Sequence, residues 1–232
     1  MTSKMKLLAS VAIAAVSLVG AQGASAGNYY VNVSGGANWL HDDSFLNSTV
    51  AQSTAFLFDN DTQVGFVLSA AAGLHLDNVL PGLRVEGEFA YRENDVRGFW
   101  STITDLTSVS SGPLDYQHSS YSLMANAWYD FSVMGLNPYV GGGIGWMHSN
   151  LDGQFKYFSD TPIDLSESDG GFAWQLGAGL TFDIQPNTKL NIGYRYIQGP
   201  DVTVHAPYNL NPVTGDVSDK NDSVTVGFTF GL

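Results

Sequence analysis

Eight stretches of this chain alternate apolar residues with small or polar ones, for 9 to 13 residues at a time: 29–39, 64–76, 83–92, 121–131, 138–147, 172–184, 189–197 and 223–232. A period of two puts each residue set on its own face of a β-strand. In 83–92, Leu83, Val85, Gly87, Phe89 and Tyr91 share one face, and Arg84, Glu86, Glu88, Ala90 and Arg92 the other. The connectors also alternate. Three are short, at 77–82, 132–137 and 185–188, and carry Pro, Gly or Asn as turn chemistry. Four are long, at 40–63, 93–120, 148–171 and 198–222. A water-soluble sandwich has no reason to sort its loops by length. An eight-stranded antiparallel up-and-down barrel in an outer membrane does, with short turns on the periplasmic side and long loops outside. Strands that cross a bilayer at a tilt need about 9–11 residues, which these stretches supply. The expected class is therefore all-β, with four long outer loops and three short periplasmic turns.

Charge placement supports that phase. Within the eight spans the charged residues are Arg84, Arg92, Lys189, Arg195, Glu86, Glu88, Asp130 and Asp183, and all fall opposite the apolar face. A charge on the lipid face costs about 2–4 kcal/mol near the midplane. Four are positive and four negative, so the inner face is neutral overall. Eight strands enclose a space just wide enough for side chains to fill. Charges held there must be paired, and the eight residues are read as a structural lumen network. Tyr29, Trp39, Phe131, Trp146, Trp174, Phe182 and Tyr196 fall near span ends on the outward face, as an interfacial girdle requires.

The N-terminus carries its own signal. Lys4 and Lys6 precede an apolar run at 7–20 and a small-residue site, Ala24-Ser25-Ala26. That is the pattern of a cleaved secretory signal peptide over 1–26, leaving a barrel domain over 27–232. Cysteine is absent, so hydrogen-bond closure rather than disulfides must hold the fold. Two of the nine basic residues lie in the leader, which takes the charge of the remainder from −13 to −15. This excess argues against nucleic acid. Seventeen acids fall in the long connectors, so the negative charge is expected to face outward.

Other signals are weaker. The glycines of 141–145 lack a dinucleotide-binding context, and relief of crowding explains them better. His41, Asp42 and Asp43 at a strand exit, with His118, His148 and His205 near other outer connectors, match no metalloprotease or nucleophile-elbow motif. His75 is expected on the inner face, as a satisfied interior histidine. Asn47-Ser48-Thr49 matches a glycosylation acceptor by composition alone. No catalytic residue, metal site or cofactor is expected. A hairpin hidden in 93–120 would raise the strand count to ten.

The stretches PYVGGGIGW at 138–146, FAWQLGAGLTFDI at 172–184, LNIGYRYI at 190–197 and TVGFTFGL at 225–232 resemble the OmpA-type outer-membrane barrel superfamily. They are most similar to the small outer-membrane barrel and surface-antigen proteins of alphaproteobacteria. The resemblance implies a Gram-negative outer-membrane location and contact with lipid and lipopolysaccharide. It also implies a C-terminal assembly signal, carried by Thr225, Gly227, Phe228, Phe230 and Leu232, that the barrel-insertion machinery reads. The chain ends on Leu232, where the family commonly ends on Phe. No peptidoglycan-binding segment follows the barrel, so a cell-wall tether is not implied. Arg195 matches a basic residue common inside such barrels.

The function expected is a structural one: a barrel with a packed, charge-paired lumen whose acidic loops form a surface antigen or adhesion face, or serve envelope integrity. Host or matrix ligands would meet those loops. A small passive porin-like channel is the alternative, and a lipid-modifying enzyme a third reading.

Overall fold

The computed structural model describes residues 28–41, 46–47, 54–104, 108–156, 162–206 and 213–232, with side chains over 28–41, 63–97, 116–153, 166–203 and 218–232. The signal-peptide reading of 1–26, Asp42, Asp43, the acceptor Ser48-Thr49 and the His205 side chain lie outside the described residues.

Ten strands form: β1 (Tyr29–Leu40), β2 (Leu46–Asn47), β3 (Thr54–Thr62), β4 (Gly65–His75), β5 (Leu83–Thr104), β6 (Ser108–Asp130), β7 (Asn137–Lys156), β8 (Pro162–Gln185), β9 (Thr188–Ala206) and β10 (Val213–Gly231). They make eight staves. β3 and β4 both pair with β5 and follow one another along it, parted at Gln63 and Val64. The Gln63 amide still donates to the Asp95 carbonyl across the break, at 3.0 Å. β2 is a two-residue flank on β3. Each stave pairs antiparallel with the next, and β1 pairs with β10, Tyr30 opposite Gly231 and Leu40 opposite Asn221. The sheet is therefore a closed eight-stranded barrel. Closure leaves no stave edge unpaired within the spans, which hydrocarbon requires.

The spans hold the phase read from the sequence. Leu123, Ile144, Trp146, Phe172 and Leu176 are each more than half exposed on the outer wall, whereas Ser122, Met124, Met147, Ala173 and Gln175 between or beside them are buried. On β10, Val224, Val226 and Phe228 face out, and Ser223 and Thr225 face in. Most of the expected outward aromatics are exposed there, while Trp174 and Tyr196 are half-buried against each other, their rings 5.4 Å apart.

The strands run well past the spans. β5, β6 and β8 hold 22, 23 and 24 residues. At about 3.3 Å per residue, even tilted strands of that length rise roughly twice the ~25 Å of an outer membrane's apolar band. Much of each long connector is thus a continuation of its flanking strands. The 93–120 connector is the tip of the β5–β6 hairpin, paired from Glu93 opposite Ser119 to Thr104 opposite Ser108, and adds no stave. β1 and β4 stop near the membrane, at 12 and 11 residues. The β4 stave is carried on by β3, so the wall is high on the β5–β8 side and lowest at β1.

The periplasmic turns are tight. Val133 and Leu136 exchange two backbone hydrogen bonds of 2.9 Å around Met134 and Gly135, both at positive φ (51° and 82°). That is the two-residue hairpin geometry that favours Asn-Gly. Met134 is fully exposed and gains nothing from packing to offset its left-handed backbone. Met134→Asn is expected to stabilise the barrel by about 0.5–1 kcal/mol, read as a higher unfolding midpoint; an unchanged or lower midpoint contradicts the turn geometry.

Candidate functional site

The lumen concentrates the chemistry. Its lower layer is built on β5, where alternation points Arg84, Glu86 and Glu88 inward. The Arg84 guanidinium meets Asp130 at 3.0 Å and Glu86 at 3.4 Å. Glu86 is buried and accepts from Tyr30 (2.8 Å), Trp128 Nε1 (2.8 Å) and Asn126 (3.2 Å). Glu88 is fully buried, pairs with Arg195 from β9, and accepts from Gln175 at 3.2 Å. Trp128 lies between the two arginines, with the Arg84 and Arg195 guanidinium carbons 5.7 and 5.0 Å from its ring. Residues from β1, β5, β6, β8 and β9 thus meet across the lumen through charge-assisted hydrogen bonds, the stronger kind.

Glycine makes this possible. A Cβ at Gly141 would lie 2.7 Å from the Trp128 ring, at Gly145 2.8 Å from Met124 Sδ, and at Gly73 2.6 Å from the Tyr30 hydroxyl. The run at 141–145 therefore vacates volume for the large side chains of β6.

An upper layer sits where the sequence placed loops. Asp219 is fully buried; it accepts from Ser149 and Asn221, and the His118 ring nitrogen is 3.4 Å away. The expectation that all the connector acids face outward is corrected at this residue. β10 keeps its alternation past the span, so Asp219 shares the inner face with Asn221, Ser223 and Thr225, while the register shift between Ser218 and Lys220 is taken up by one extra residue on β9. His118, also read as a connector residue, is 2% exposed. Asn38 donates to Asn94 (2.6 Å) and Asn221 (2.8 Å), which links β1, β5 and β10.

The expected charges do not form one network. Lys189 and Asp183 make a loose 3.8 Å contact at the exposed periplasmic rim, while Arg92 is buried apart from both lower pairs. Sequence reasoning overlooked Tyr30, Trp128, Asn126 and Gln175, which hold the charges, and Asn38, which ties Asn94 to Asn221. Their inward parity was the available signal.

Below the lower layer a vestibule of about 660 Å³ opens toward the periplasmic turns, with a deeper recess of about 190 Å³. Tyr30, His75, Asp130 and Lys189 line both, and Arg84 reaches the recess. His75 is half-buried there, its ring 5.1 Å from Tyr30. On the outer wall, exposed His41 pairs with Asp222, which also accepts from Tyr194. His148 packs on Tyr121 with ring centroids 5.0 Å apart. Among the described residues no three His, Cys, Asp or Glu side chains form a metal-binding group. Of the residues expected to carry an assembly signal, Thr225, Gly227, Phe228 and Phe230 lie on β10 at the closing seam and Leu232 just past its end, where its amide donates to the Tyr29 carbonyl at 2.9 Å.

The geometry has counterparts among known proteins. A family model described as an outer membrane protein beta-barrel domain matches residues 8–230. An "Outer membrane protein" of Gluconacetobacter diazotrophicus is 28% identical over 181 residues, covering 72% of this chain and 46% of that protein. An uncharacterized protein of Brucella abortus is 35% identical over 86 residues, 34% of this chain and 30% of its own. The matches thus span less than half the length of these relatives. Among solved structures, Neisserial surface protein A aligns over 90% of this chain and 100% of its own, with a TM-score of 0.52 at 18% identity, a likeness of fold.

Proposed function

The chain belongs to the outer membrane protein beta-barrel domain family, and from that premise we propose that it is a structural outer-membrane protein with a plugged lumen and an acidic outer face. Its place is the outer membrane of a Gram-negative cell. The observation that carries the plug is the lower layer: Tyr30, Glu86, Glu88 and Trp128 are each 7% exposed or less and bonded across the bore. Solutes entering the periplasmic vestibule meet this layer as a floor. The tall β5–β8 side carries the working surface outward. Its acids favour cation-bridged contact with lipopolysaccharide or basic host and matrix ligands over direct binding of anions. Residues 1–26 act as the cleaved leader, and the closing strand as the assembly signal.

Planar-bilayer recording on the purified full-length barrel tests this reading. Rare, small openings are expected, and steady conductance sinks the plug and favours the passive channel. A cysteine at Thr229, in the vestibule lining, is expected to react with a charged thiol reagent. One at Ser122, above the floor, is expected to stay protected in the folded barrel.

A further inference from the structure

Two ion pairs meet at the periplasmic recess. Arg84 and Asp130 stand on the neighbouring staves β5 and β6, and Asp183 and Lys189 on β8 and β9, with β7 between the pairs. All four side chains line the recess of about 190 Å³. At about 30 Å³ of liquid per water molecule, that is room for about six waters or for one small organic solute. The lining holds two charges of each sign. A lone anion or a lone cation would unbalance it, and a solute that carries both charges would not.

The groups that face this space are only partly engaged. Arg84 directs Nε at both oxygens of Asp130 and Nη1 at Tyr30 and Glu86, and its Nη2 makes no hydrogen bond among the described residues. Lys189 comes no closer to Asp183 than 3.8 Å, too far for a hydrogen bond, and its ammonium group makes none elsewhere among the described residues. The Lys189 side chain is 43% exposed and that of Asp183 60%. Asp183 Oδ2 accepts from Asn137 Nδ2 at 3.2 Å, which leaves Oδ1 open toward the recess. An exposed pair this loose adds little to stability, so the fold alone does not account for it.

We propose that the periplasmic recess binds a small zwitterionic solute of the α-amino-acid class. Its carboxylate is taken by Lys189 and Arg84 Nη2, and its ammonium group by Asp183, through charge-assisted hydrogen bonds, the stronger kind. This goes beyond the structural role proposed for the barrel, and it does not require the lumen to be closed.

Amide chemical shifts of the isotope-labelled full-length barrel in lipid nanodiscs test the site. L-Alanine is expected to move the amides of Lys189, Asn191 and Thr229 along a saturable curve and to leave Asn94, in the upper layer, unmoved. Propionate lacks the ammonium group and ethylamine the carboxylate, and each is expected to bind at least about tenfold more weakly. Lys189→Gln and Asp183→Asn alter exposed positions, so both variants are expected to fold. Each is expected to weaken alanine binding by about tenfold, the loss of one charge-assisted hydrogen bond. No saturable shift with alanine would show that the recess holds water alone and overturns the proposal. Propionate or ethylamine binding as tightly as alanine overturns it too, because the recess would then select a single charge. Unaltered alanine binding in both variants does the same.

Discussion

Glu88→Leu is expected to destabilise the barrel by about 3–5 kcal/mol, the cost of removing one partner from a buried ion pair. Glu88 is fully buried, so no solvent screens what is left behind. Arg195 loses its only ion-pair partner among the described residues, and Gln175 Nε2 keeps only Asn126, at 2.6 Å. The stranded guanidinium also lies 5.0 Å from the Trp128 ring, and that cation–π contact is too weak to replace a carboxylate. Urea unfolding of the full-length barrel in bilayers reads the loss, which should appear at neutral pH as a lower midpoint with an unchanged slope. The double variant Glu88→Leu/Arg195→Met is expected to recover most of it, since apolar replacement of a whole pair is often neutral. A loss under about 1 kcal/mol for the single variant would show that water reaches the pair and that the lumen is not packed.

A second large effect lies on the opposite face of the wall. Leu123 is 66% exposed and sits amid β6, between buried Ser122 and Met124. Leu123→Arg places a charge where acyl chains should be, at a cost of about 2–4 kcal/mol near the midplane. The variant is expected to insert poorly and to lose the heat-resistant band that folded barrels show in semi-native gels. Leu136→Arg is the matched control: Leu136 is also half exposed, but in the periplasmic turn. It is expected to be neutral within about 0.5 kcal/mol, as surface substitutions usually are. If the two variants behaved alike, the outer wall would not be meeting lipid.

What the sequence discloses follows from where lipid acts. Inside the membrane one face must be apolar, so parity alone placed Trp146 and Phe182 outside and Glu86 and Glu88 inside. The closing strand was legible because its alternation runs on through Phe230 opposite Val31. Outside the membrane the outer face meets water, and the buried inner face mixes Val96, Leu151 and Val202 with Asn94, His118 and Asp219. The constraint lapses, and β5 continues through Glu93, Asn94, Asp95 and Arg97 with no apolar stripe to announce it. Asp219 was misplaced because it was counted with the connectors: β10 carries the alternation of Thr225, Ser223 and Asn221 straight on to it, and extending that parity places it inside. The partners in the bore were hidden because parity says which side chains enter it and is silent about which meet. Tyr30 and Glu86 are 56 positions apart, and Glu88 and Arg195 are 107 apart.

The seam between β1 and β10 bears on how the barrel comes to exist. The other seven seams join staves that follow one another along the chain, so each can form as a local hairpin. Only this one brings together opposite ends of the domain, Tyr30 beside Gly231. Closing so long a loop carries the largest entropic cost, and in any ordered assembly that step comes last. Until it happens, two strand edges are exposed at once, one at each end of an open sheet. The rate at which this chain becomes a barrel should therefore be governed by residues along one seam, while substitutions elsewhere in the wall chiefly alter how long the finished barrel lasts.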